Sequence, residues 1–210
     1  MLSCRSSKVH LSFHLYFISS FQSVQFSLPL NRSIKMSVNK RNIEIKACIK
    51  DIKELLEKVK SHSDTKEEII HQEDHFFNAI NGRLKLRIIK DDKAQLISYE
   101  REDRAGPKLS KYSIALCEDV ENLKTVLSTS LGIKGSVKKT RHLFFVKNTR
   151  IHVDEVENLG DFIEFEVVLK ENETEEDGKT IAYDLMKLLG VQESDLICGA
   201  YMDMILSTKT

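Results

Sequence analysis

The sequence predicts an α+β domain built on a mainly antiparallel sheet. Three observations carry this. Short segments alternate strictly between apolar and polar residues, the period-two signature of strands. Tight-turn residues separate these segments, as hairpins require. Only a few stretches show helical stripes, and they stand apart from the strand runs.

The elements follow in order along 36–210. Asn42 to Ile49 puts Ile43, Ile45, Ala47 and Ile49 on one face and Asn42, Glu44, Lys46 and Cys48 on the other, a strand. Asp51 caps a helix, with Glu54 completing a capping-box spacing and Leu55, Leu56 and Val59 forming its stripe. Residues 66–80 are mixed and lead as a strand into Asn81-Gly82, a two-residue hairpin signal. The return strand alternates Arg83, Lys85 and Arg87 with Leu84, Leu86 and Ile88. Asp91-Asp92 turns into a strand from Ala94 to Arg101, a charged loop over 102–110, and a strand from Lys111 to Cys117. Asp119 to Leu131 reads as a helix closed by Gly132. Three strands follow, 136–147, 150–157 and 161–170, with turns at Asn148-Thr149 and Leu159-Gly160. Thr174 to Leu189 is a helix stopped by Gly190, and a short helix runs near Gly199 to Leu206.

The 210 residues balance 32 basic against 32 acidic side chains. That neutrality excludes a generic nucleic-acid binder, which needs a basic excess. The balance is uneven along the chain. Residues 1–35 carry four basic residues and no acidic one, leaving 28 basic and 32 acidic residues in 36–210, a net charge of −4. The Ser-rich, acid-free composition of 1–35 fits either a leader before a start at Met36 or a mitochondrial transit peptide, and disorder is expected there. The domain is therefore read as 36–210, cytoplasmic or, with a transit peptide, mitochondrial. No apolar run is long enough to span a membrane as a helix. Cysteines 4, 48, 117 and 198 form no metal-binding pair.

The second face of the strands is charged with both signs: Glu44 and Lys46; Arg83, Lys85 and Arg87; Lys139 and Arg141; His152 and Asp154; Glu164 and Glu166. A sheet with one solvated face gives this pattern. So does a curled sheet whose interior holds a polyanion and divalent cations, with Arg and Lys on phosphate oxygens and carboxylates on the metal. Periodicity leaves the two open.

Seven short motifs in series resemble the CYTH superfamily, also called triphosphate tunnel metalloenzymes. They are Asn42-Ile43-Glu44-Ile45-Lys46; Gln72, Asp74 and Phe76-Phe77; Gly82 with Lys85 and Arg87; Leu96, Tyr99 and Arg101; Ser110 and Tyr112; Val137, Lys139 and Arg141; and Arg150 through Asp154 and Gly160 to Glu164 and Glu166. The match spans about 40 to 206. It is nearest the class IV adenylate cyclase-like branch, with thiamine triphosphatase as a relative. The resemblance implies an eight-stranded antiparallel β-barrel, the triphosphate tunnel, with flanking helices. It implies Glu44, Asp154, Glu164 and Glu166 as metal ligands for Mg²⁺ or Mn²⁺, and Lys85, Arg87, Arg101, Lys139 and Arg141 on the triphosphate. Lys46 and Glu44 would be catalytic. The implied partner is a small-molecule triphosphate or nucleotide, with no nucleic acid or membrane, for a monomer or homodimer. The implied function is metal-dependent hydrolysis of a triphosphate-bearing substrate. The alternatives are a cyclase making cyclic AMP from ATP and a non-catalytic binding module. The last arises because Asn42 replaces the first Glu of the family's ExExK opening. Lys85 also stands where many members have Arg, which keeps the charge and loses the bidentate fork.

Other candidates are weaker. His71 and His75 have the spacing of a helical zinc pair, on a stretch read as leading into a strand. Neither a Walker phosphate loop nor a GxSxG elbow is present.

Overall fold

The computed structural model describes residues 40–92 and 94–208. The expectations for 1–35 lie outside these residues. The strands are β1 (Lys40–Cys48), β2 (Glu68–Phe77), β3 (Arg83–Ile89), β4 (Ala94–Arg101), β5 (Lys108–Cys117), β6 (Ile133–Val146), β7 (Thr149–Val156) and β8 (Gly160–Val168). The helices are α1 (Ile52–His62), α2 (Val120–Leu131), α3 (Glu175–Leu189) and α4 (Tyr201–Ser207).

The eight strands close into one antiparallel barrel in the order β1-β5-β4-β3-β2-β6-β7-β8. The period-two alternation is resolved by this closure: in β1, β3, β7 and β8 the apolar face points outward and the charged face inward. Ile43, Ile45, Val153, Ile163 and Phe165 are buried under α1 and α3, together with Val59, Leu185 and Met186. A second apolar group, with Phe77, Leu86 and Ala94, lies beneath Val120, Leu123 and Leu127 of α2. The third stops one end of the barrel, where Tyr201 and Met202 of α4 pack on Phe76, Val137, Val156 and Phe162. The core is thus a shell around a polar interior.

The helix ends behave as their sequences dictate. Asp51 accepts from the Lys53 and Glu54 amides, though Glu54 does not return the bond as a capping box would. Thr174 forms a full capping box with Asp177.

Three segments differ from the reading above, one of them β6, which begins at Ile133 rather than at residue 136 because Ile133 pairs with Phe77 of β2. The loop between β2 and β3 spans residues 78–82 rather than two residues, because only Gly82 takes positive φ (59°) on re-entering the sheet. A Cβ at Gly82 would stand 2.6 Å from the Tyr99 carbonyl oxygen, so only glycine fits. The strand after the charged loop begins at Lys108, three residues early, because Lys108 pairs in register with Glu44 of β1. No described helix is long and apolar enough to cross a membrane.

Candidate functional site in the barrel interior

Alternation sends Asn42, Glu44 and Lys46 of β1 into the barrel, with Lys85 and Arg87 of β3, Lys139 and Arg141 of β6, and Glu164 and Glu166 of β8. They line a cavity of about 330 Å³. Among the described residues eight basic side chains and four carboxylates face it, a net of four positive charges.

Two fully engaged carboxylates organise the basic groups. Asp74 accepts from Lys85 Nζ at 2.8 Å, from Arg87 at 2.8 and 3.0 Å, and from Gln72 at 3.2 Å. Burial alone would raise its pKa, but Arg87 and Lys85 outweigh burial and hold the carboxyl well below its ordinary range. Asp154, without solvent exposure, accepts from Arg141 Nε and Nη2, each at 2.7 Å, from Lys139 at 2.6 Å and from the Tyr201 hydroxyl at 3.0 Å. It too is held low, because Arg141 and Lys139 overcome its burial. Each carboxylate therefore fixes two cations side by side, with their remaining donors free for a further anion.

The other carboxylates are less saturated. Glu164 accepts from Lys46 at 2.6 Å and Arg141 at 2.9 Å, and Glu166 from Arg150 at 2.6 Å. His152 Nδ1 lies 3.5 Å from Glu164 and 3.9 Å from Glu166. Ligand atoms of His152, Glu164 and Glu166 all fall within 4.8 Å of one another. His152 Nδ1 is buried without a hydrogen-bond partner. Burial and the Arg141 guanidinium push the imidazole down to about 4, so it is neutral at pH 7 with a lone pair available. An orphaned nitrogen facing two carboxylates suits a divalent cation.

The expected metal ligands therefore separate. Glu164 and Glu166 meet in this cluster. Glu44 lies opposite Glu166 in the β1–β8 register, and its Oε2 accepts from Arg101 at 2.7 Å. Asp154 has both oxygens committed to protein donors. The expected phosphate ligands Lys85, Arg87, Arg101, Lys139 and Arg141 all line the cavity. Lys46 is buried against the Tyr201 ring, its Nζ 3.9 Å from the centroid. Asn42, 1% exposed, presents an Oδ1 with no hydrogen bond.

The residue-by-residue reading assigned no role to three residues of the interior. His152 stands between apolar neighbours, and only the charged alternation of Arg150, His152 and Asp154 marks it. Tyr201 reaches in from a helix. Lys108, fully buried, falls in the stretch read as loop, and burial with Arg101 and Lys46 nearby pushes it down to about 8. His71 and His75 lie four apart on a strand, about 13 Å, too far to share a zinc ion.

Residues 40–201 match the family described as the CYTH domain. The chain belongs to that family. This CYTH domain is 25% identical over 175 residues to a Methanocaldococcus jannaschii protein named "putative adenylate cyclase MJ0240", covering 77% of this chain and 97% of that one. Among solved structures, the PH1012 protein of Pyrococcus horikoshii superposes with a TM-score of 0.69 at 24% identity, covering 77% of this chain and 98% of that one. The Hippeastrum protein HpAC1, described as a "putative adenylyl cyclase" with a dominant triphosphatase activity, superposes with a TM-score of 0.54 at 14% identity. That match covers 81% of this chain and 96% of that one. At these identities the two structures establish a shared fold.

Proposed function

We propose that this CYTH domain is a divalent-metal-dependent phosphohydrolase acting on a triphosphate-bearing substrate held in the barrel. The observation that carries the reading is the lining: four excess positive charges beside a neutral imidazole and two carboxylates spaced to hold one cation. A linear polyanion satisfies the first and a divalent ion the second. Phosphoryl transfer needs positioning and charge neutralisation more than covalent help from the protein.

The roles divide by strand. Lys85 and Arg87, aligned by Asp74, and Lys139 and Arg141, aligned by Asp154, hold phosphate oxygens from two sides. Arg101 adds a fifth cation. Glu164, Glu166 and His152 would hold Mg²⁺ or Mn²⁺, with Glu44 adjacent, and the ion would supply charge neutralisation at the phosphate oxygens. Lys46, fixed by Glu164 and the Tyr201 ring, directs the attacking water to the terminal phosphorus. The water oxygen bonds to that phosphorus as the bridging P–O bond breaks, its electron pair staying on the departing diphosphate, and the water's protons remain on the released phosphate or pass to solvent.

The name of the M. jannaschii relative favours a second reading, in which the 3′-hydroxyl of ATP attacks the α-phosphorus and pyrophosphate leaves. The full chain, supplied with Mg²⁺ or Mn²⁺ and with tripolyphosphate, ATP or thiamine triphosphate, separates the two through free phosphate and cyclic AMP. Phosphate release that falls about a hundredfold in Glu166→Gln supports the hydrolase. Cyclic AMP supports the cyclase, and binding without either product leaves a non-catalytic module. Asn42→Glu gives no gain in turnover, because the candidate cation ligands His152, Glu164 and Glu166 come together without it. A gain of about tenfold, worth about 1.4 kcal/mol of barrier, would mark Asn42 as a lost ligand.

A further inference from the structure

The helix α4 has seven residues, too few to hold its place by its own hydrogen bonds. Its position comes from tertiary ties, and one carboxylate makes three of them. Asp203 Oδ2 accepts from the Ala200 amide at 3.1 Å and from Arg83 Nη2 at 2.9 Å, and its Oδ1 accepts from Lys134 Nζ at 3.0 Å. Arg83 opens β3 and Lys134 lies near the start of β6, so Asp203 pins α4 to two barrel strands. Arg83 Nη2 also donates to Asp103, in the loop after β4, at 2.6 Å. None of these four side chains lines the cavity.

What α4 carries does line it. The Tyr201 ring centroid lies 3.9 Å from Lys46 Nζ and 4.9 Å from Lys139 Nζ, so one ring serves ammonium groups from β1 and β6. The Tyr201 hydroxyl donates to Asp154, the carboxylate that aligns Lys139 with Arg141. Just ahead of the helix, the Gly199 carbonyl accepts from Arg101 Nη2 at 2.8 Å. Lys85 and Arg87 take their alignment from Asp74 on β2 instead.

We infer that Asp203 is a positioning residue of the barrel interior. By pairing with Arg83 and Lys134 outside the cavity, it seats α4 so that Tyr201 and Gly199 hold Lys46, Lys139 and Arg101 in place. An ammonium group is attracted to a ring within about 6 Å of the centroid, so a drift of α4 by about 1 Å takes Lys139 to the edge of that range. The effect on rate rests on the hydrolase reading above; the placement of the lysines does not.

NMR of the full chain carrying carbon-13-labelled lysine reads the placement directly. Protons above an aromatic face resonate upfield, so the ε-methylene signals of Lys46 and Lys139 stand apart from those of surface lysines; Lys46→Arg and Lys139→Arg assign them. Both signals persist in Tyr201→Phe and return to the ordinary position in Tyr201→Leu. They return as well in Asp203→Ala and in Asp203→Asn, which keeps an acceptor for the Ala200 amide and loses only the charge. Thermal unfolding verifies that each variant is folded, and Asp203→Asn reads the role if the alanine variant is not. With tripolyphosphate and Mg²⁺, kcat falls about tenfold in Asp203→Asn while KM rises less than about threefold, because Lys85 and Arg87 still hold the substrate. Signals that stay upfield in both Asp203 variants, or an unchanged kcat in an active chain, overturn the inference. Signals that move as described, in a chain that hydrolyses neither tripolyphosphate nor ATP nor thiamine triphosphate, support it and overturn the hydrolase.

Discussion

Replacing Asp154 with asparagine separates two roles for that carboxylate. Asp154 is fully buried and accepts four hydrogen bonds, from Arg141 twice, Lys139 and Tyr201. Asparagine keeps the shape, removes the charge, and turns one acceptor into a donor facing donors. Breaking a buried ion pair from one side costs about 3–5 kcal/mol. The lower end applies here. Lys139, already pushed down to about 7 by burial and Arg141, can shed its proton and relieve its share. Arg141 cannot lose a proton, but it keeps Glu164 at 2.9 Å. At about 3 kcal/mol, Tm falls by roughly 6–12 °C for a domain of this size. Saturating tripolyphosphate with Mn²⁺ supplies the missing negative charge, so the gap between variant and wild type narrows in its presence. Differential scanning fluorimetry with and without ligand measures both values. A variant as stable as wild type without ligand, yet blind to metal, would refute the reasoning and make Asp154 a metal ligand.

Other outcomes follow from single observations. Because an imidazole joins the two carboxylates at the proposed cation site, Mn²⁺ should half-saturate activity at a concentration about tenfold below Mg²⁺, and His152→Gln should shrink that preference; metal titrations read both. Between about 7 and its ordinary 10.5, the Lys139 amine is protonated in the unfolded chain and neutral in the folded one, so raising pH through this window favours folding. Urea midpoints should therefore rise between pH 7.5 and 9.5, and rise less in Lys139→Met; an equal slope in the variant removes the assignment. Gly178 of α3 lies so close to β1 that a Cβ would stand 2.5 Å from Ile43 Cγ1 and 2.8 Å from Leu169 Cδ2. Gly178→Ala should cost about 1–3 kcal/mol by overpacking, against the usual gain for alanine in a helix, and an increase in the urea midpoint would contradict that.

Much of the barrel is legible because β1, β3, β7 and β8 are amphipathic in the same sense. Ile43, Ile45 and Ala47 alternate with Asn42, Glu44 and Lys46, and Leu84 and Leu86 with Lys85 and Arg87. Period two says that two faces differ; it does not say which is outside. A solvated sheet and a tunnel share the pattern, and the ordered motifs are what favoured the tunnel. The pattern blurs where the barrel does not bury both faces. β2 begins with Glu68 and Ile69 exposed, Ile69 at 56%, so its first half looks mixed. Lys108 is hidden for the opposite reason: a lysine after Gly106-Pro107 reads as surface loop, yet the β1 register carries it into the wall. At the site, residues that share a strand face were found together. Tyr201 was not, because its reach to Asp154 depends on where α4 docks, and seven residues of helix carry no periodic trace of that.

The seating of α4 gives the tunnel a direction. With the Tyr201 ring 4.9 Å from Phe162, and Met202 beside it, one end of the barrel is stoppered, so it is a cup and not a pipe. Traffic in a cup is last in, first out. Whatever fragment settles against Lys46 and Lys139 at the floor leaves only after the piece above it has gone. If the proposed hydrolysis runs in this cup, turnover is paced by the order of departure, and the deepest fragment is the one expected to inhibit the next cycle.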